Sequence, residues 1–129
     1  MTLPAADLAA RRPVWEALSG LYLDTDVSLS LKRRVDILAA SPYSVDELQA
    51  ILVDEVNPVC RLNMLVVAGE WAGFDVEWLE SRILARGAAP RGWMGRMLAR
   101  VVSTEVRVPC WEDWLVTRGG VIAARAAAR

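Results

Sequence analysis

The chain has 129 residues, 54% of them hydrophobic and 24% charged, with a net charge of -1. That length suits one domain with one core, and no apolar run reaches the roughly 18 to 20 residues that span a bilayer. It contains no histidine and two isolated cysteines, Cys60 and Cys110, so neither zinc nor another metal or cofactor is expected.

Periodic segments repeat at three and four residue steps and no β-branched alternation appears, so the expected fold is all-α. A first helix over about 8–23 carries Val14, Trp15, Leu18, Leu21 and Tyr22, with Pro13 near an N-terminal turn. An acidic turn, LDTDVS, leads to a second helix near 29–40 with Leu31, Val35, Leu38 and Ala39 inward and Lys32, Arg33 and Arg34 outward. Ser44 and Glu47 form a capping box that starts a third helix with Val45, Leu48, Ile51, Leu52 and Val56 on one side. Pro58 disfavours helical geometry at Asn57, so the third helix is expected to stop there and Asn57 to cap the next.

That next segment, about 58–71, is apolar nearly all round and reads as a buried central helix. Gly69 to Gly73 should end it, and Asp75 should cap a helix running to about Arg86. In GEWAGFDVEWLE the rings Trp71, Phe74 and Trp78 then close a helix corner, and the acids act as caps. A basic helix over about 91–104 follows, then a last helix from near Pro109 with Trp111, Trp114 and Leu115, interrupted by Gly119 and Gly120. The tail VIAARAAAR either continues as helix or frays. The expectation is a compact single-domain bundle, 1–129, of six to seven short helices around the central one, with an acidic part (11–84) and a basic part (85–129).

The charge is divided along the chain. Residues 1–81 hold 13 acidic and 6 basic side chains, a net of -7, whereas 82–129 hold 3 and 9, a net of +6. Either a charged partner meets one end, or the two halves face each other within a monomer or across a homodimer.

Catalytic apparatus is sparse. The commonest general base is absent, Lys32 is the only lysine, and no phosphate-cradling, dinucleotide or nucleophile-elbow motif occurs. Three polar residues fall in apolar surroundings: Glu55 inside the Leu48, Ile51, Leu52 arc, and Asn63 and Glu70 on one side of the central helix. A carboxylate there needs a partner or a proton. An internal pairing, to Arg61 or to an arginine of the C-terminal half, is weighed against a pocket built on Glu55 and Glu70. Cys60 and Cys110 read as small buried hydrophobes, with a disulfide between them as the other reading. Arg82, Arg86, Arg91, Arg96, Arg100 and Arg107, with Trp93 as a stacking ring, invite a nucleic-acid reading, set against a solvated or internally paired face.

VWEALSGLYLDTD (14–26), SPYSVDELQAIL (41–52), DEVNPV (54–59) and AGEWAGFDVEWL (68–79) together resemble a family of small bacterial proteins of unknown function. The resemblance covers about residues 11–84, implies a helical fold and a bacterial origin, and brings no catalytic or ligand residue with it. The expected function is therefore a cytoplasmic, non-enzymatic protein-binding module, most concretely an immunity or antitoxin-like protein that occludes a toxic effector. No membrane partner is expected, and a nucleic-acid-associated regulator is the alternative. Its partner-binding rim is expected at Asp24, Asp26, Asp46, Glu47, Asp54 and Glu77, an acidic set able to meet a basic surface.

Overall fold

A computed structural model describes residues 5–22, 30–66, 76–88 and 108–128, with the backbone alone at 62–66, 76 and 86–88. Among these residues all regular structure is helical and there is no strand. In chain order they form α1 (Ala5–Ser19) with a 3₁₀ turn at Gly20–Tyr22, α2 (Leu31–Ala40), α3 (Val45–Ile51), a π-helical segment (Leu52–Val56), α4 (Asn57–Val66), α5 (Val76–Ala88) and α6 (Trp111–Ala127).

Helix α1 buries Val14, Trp15 and Leu18, and the 3₁₀ turn adds Leu21 and Tyr22. Pro13 lies inside α1 and not at its start, where it forfeits the bond to the carbonyl one turn back. Helix α2 ends because Ser41 precedes Pro42, which pushes it to the extended conformation seen there, φ -70° and ψ 158°. The freed carbonyls do not go unsatisfied. Arg125 of α6 donates to Leu38 O (3.1 Å), Ala39 O (3.3 Å), Ser41 O (3.2 Å) and Tyr43 O (2.6 Å), so one guanidinium closes the corner between α2 and α3.

At the start of α3 the capping box forms in both directions: Glu47 N donates to Ser44 Oγ and Ser44 N to Glu47 Oε1, each at 3.1 Å. Beyond Ile51 the helix does not stop at Asn57 as the proline suggests. Asn57 is helical (φ -56°, ψ -46°), and its N–H donates to Leu52 O, five residues back. Pro58 lacks the N–H that would bond Asp54 O and its ring crowds that carbonyl; widening one turn to π geometry accommodates both. The rod from Val45 to Val66 is therefore continuous, and the described residues form five rods where the sequence divides one of them in two.

The core draws on every rod. Trp15, Leu18, Leu38, Leu48, Leu52, Val56, Cys60, Leu79, Ile83, Trp114 and Val121 are all nearly or fully buried, each large apolar side chain contributing on the order of 1.5–3 kcal/mol. Helix α1 packs against α2, α5 and the π segment, and α6 lies along α2. Of the expected central helix, Cys60 is buried, Pro58 and Val59 are half-buried and Arg61 is exposed, and the side chains from residue 62 on lie outside the described ones. Its stretch over 67–71 lies outside the described residues, as do Phe74, Asp75, the basic helix over 91–104 and Trp93.

Two further expectations are corrected. Gly119 and Gly120 do not interrupt the last helix; α6 runs through both to Ala127, and the alanine-rich tail continues it. Gly120 sits against α2, where a Cβ would come within 2.7 Å of a Val35 methyl, so glycine there lets two helices approach closely. Arg34, grouped by sequence with an outward basic run, is 4% exposed, with Nη2 donating to Ser30 Oγ (2.8 Å) and Nη1 to Thr117 Oγ1 (3.4 Å). Burial lowers its guanidinium below the ordinary value, against the opposing field of Asp113.

Candidate functional site

The polar side chains converge most clearly where α1 crosses the π segment. Glu55 lies in the widened turn, and both of its oxygens are taken: Arg11 Nη1 donates to Oε2 (2.5 Å) and Trp15 Nε1 to Oε1 (2.9 Å). The two donors are four residues apart in α1 and so share a face. The Trp15 ring is buried, and its N–H needs an acceptor at that depth, which Glu55 supplies. Arg11 also lies over the Tyr43 ring, 5.4 Å from its centroid. Burial opposes the Arg11 charge, but the hydrogen bond and charge of Glu55 outweigh it, and the guanidinium titrates above its ordinary value. Partial burial pushes the Tyr43 phenol up, with Arg11 pulling the other way.

The expected partners of Glu55 are thus corrected. Arg61 is exposed, and the cation that holds Glu55 comes from the first helix, not from the C-terminal half. With two charge-assisted or buried donors on one carboxylate, the arrangement pins α1 to the rod. Asn63 and Glu70, the other polar residues expected to face inward, lie outside the described side chains.

One residue along α1, Arg12 makes a bidentate pair with Glu80 of α5, Nε to Oε2 at 2.7 Å and Nη2 to Oε1 at 3.0 Å. That bond, the Glu80 charge and the field of Glu77 raise the Arg12 guanidinium above its ordinary value despite some desolvation. Arg82, also on α5, lies over the Trp78 ring at 5.6 Å. Consecutive arginines of α1 therefore fasten two different neighbours.

A second polar cluster is fully enclosed. Tyr22 Oη donates to Asn57 Oδ1 (2.8 Å), so the asparagine expected to cap a helix instead holds the 3₁₀ turn. Cys60 and Cys110 are both free and buried beside it. Burial pushes the Cys60 thiol up to about 12 and the Cys110 thiol up to about 11, and it raises the Tyr22 phenol as well. Such thiols stay protonated and unreactive at neutral pH.

Of the acidic rim, Asp46, Glu47, Asp54 and Glu77 are exposed. Glu47 also serves the capping box. Asp24 and Asp26 lie outside the described residues, as do Arg91, Arg96, Arg100, Arg107 and the side chain of Arg86. Among the described residues no group of three or more His, Cys, Asp or Glu could hold a metal ion, and no helix is long and apolar enough to cross a membrane.

No curated protein matches the chain, and no solved structure does. A family model does, over residues 9–118, so the match extends past the 11–84 span of the resemblance and into α6. The chain belongs to the family described as Domain of unknown function (DUF7079).

Proposed function

We propose that this chain is a bacterial, cytoplasmic, non-enzymatic protein-binding module, most concretely an immunity or antitoxin-like protein that neutralises an effector by occlusion. The observation that carries the reading is the division of labour among the described carboxylates. The inward one, Glu55, has both oxygens committed to Arg11 and Trp15, which leaves it poorly placed to act as a general base. Asp46, Asp54 and Glu77 stand at the surface in the acidic part of the chain, where their field favours and steers a basic partner.

Two experiments test it. Affinity-tagged chain should co-purify with the product of the adjacent gene, and co-expression should relieve any toxicity of that product. A chain that retains nothing encoded beside it and protects against no toxin overturns the reading. Retention on DNA or RNA that falls steeply with salt would support the nucleic-acid alternative instead.

A further inference from the structure

The described residues expose three large apolar side chains, and all three lie on α6: Leu115 (44% exposed), Val116 (59%) and Ile122 (50%). At 100° per residue they surround Gly119, and exposed Ala123 and Ala126 extend the same face. Gly119 is the informative member. Glycine weakens a helix interior relative to alanine, and a Cβ at Gly119 would meet nothing within 4 Å. Its neighbour Gly120 is explained by the Val35 contact; among the described residues nothing gives Gly119 such a reason.

We propose that this face of α6 is a homodimer contact, in which two copies pack antiparallel about a two-fold axis near Gly119. The pattern is self-complementary under that operation. Leu115 falls opposite Ile122 of the second copy, Val116 opposite Ala123, and glycine meets glycine at the axis, where backbones can approach. Charge selects the same direction. Exposed Glu112 sits at one end of the face, so antiparallel packing holds the two copies' Glu112 about 20 Å apart at 1.5 Å per residue, whereas parallel packing would set them side by side.

The contact is one helix long and one helix wide, a footprint of about 25 by 10 Å, which is smaller than the roughly 800 Å² per partner of a standard interface. The dimer is therefore weak and concentration-dependent. It is independent of the acidic rim and of the proposed function.

Sedimentation equilibrium of the full chain, from about 1 μM to about 1 mM, brackets weak association. The mass should rise from 14.2 kDa toward twice that value. Leu115→Glu and Gly119→Trp, both at exposed positions, should hold the mass at one chain while circular dichroism keeps its helical signal. A wild-type mass that never rises overturns the proposal. So does a dimer that both variants leave unchanged, which would place the interface elsewhere. Gly119→Ala serves as the folding control, since it improves helix propensity at this site.

Discussion

Replacing Glu55 by glutamine tests whether the carboxylate is a structural pin. The variant keeps shape and one acceptor oxygen but removes the charge, so either Arg11 Nη1 or Trp15 Nε1 loses its acceptor. The pair is neither a surface bridge nor a buried one: the side chains are 21% and 15% exposed. Exposed pairs are worth about 0–1 kcal/mol and breaking fully buried ones costs about 3–5 kcal/mol, which places Glu55→Gln near 1–2 kcal/mol. Glu55→Ala leaves both donors without their acceptor and should cost about 3 kcal/mol. Urea denaturation of Glu55→Gln, Arg11→Met and the double variant gives a coupling energy, expected at about 1–2 kcal/mol. A coupling within error of zero, with Glu55→Gln as stable as the parent, would refute the pin and reopen a chemical role for Glu55.

Other consequences follow from the packing. Gly120→Ala forces α6 off Val35 and should cost about 1–3 kcal/mol, whereas Gly119→Ala meets open space and should stabilise the monomer by up to about 1 kcal/mol in the same denaturation assay. Arg125→Met removes a charged donor from four carbonyls and should cost about 2 kcal/mol, with faster amide exchange confined first to the last turns of α6. The thiols set an alkaline limit: because folded Cys110 and Cys60 titrate near 11 and 12, above the ordinary 9, they stay protonated in the fold while the unfolded chain ionises. Stability from them is complete below about pH 8.5 and falls as pH rises toward 11–12, by up to about 1.4 kcal/mol per pH unit for each thiol. A melting temperature flat from pH 8 to 11 would contradict their burial, as would rapid alkylation of the native chain at pH 8.

Local chemistry was legible in the sequence, and long-range choices were not. Ser44 and Glu47 satisfy each other within one turn, so their capping box depends on nothing distant. Pro58 allowed two outcomes, a break or a widened turn. The Tyr22 bond to Asn57 and the grip of Arg11 and Trp15 on Glu55 lie more than 30 residues away in sequence, and they favour the continuous rod. The inward position of Glu55 showed in the 100° projection, but nothing local named its partner. The readable hint was on α1, where Arg11 and the indole of Trp15 share a face and both need acceptors. Gly119 and Gly120 looked like a break because a pair of glycines cannot announce a close helix approach; Val35 on another helix decides it. Arg34 was hidden in the run Lys32, Arg33, Arg34, where composition suggests a solvated face.

Binding of the adjacent gene's product, measured by calorimetry against the parent chain and against Asp46→Lys with Asp54→Lys, tests the functional proposal most directly. The expected result is a tight complex with the parent that weakens at least tenfold on charge reversal, about 1.4 kcal/mol, and weakens further as salt is raised. No heat of binding with the parent, or an affinity that charge reversal leaves unchanged, would contradict recognition through the acidic rim.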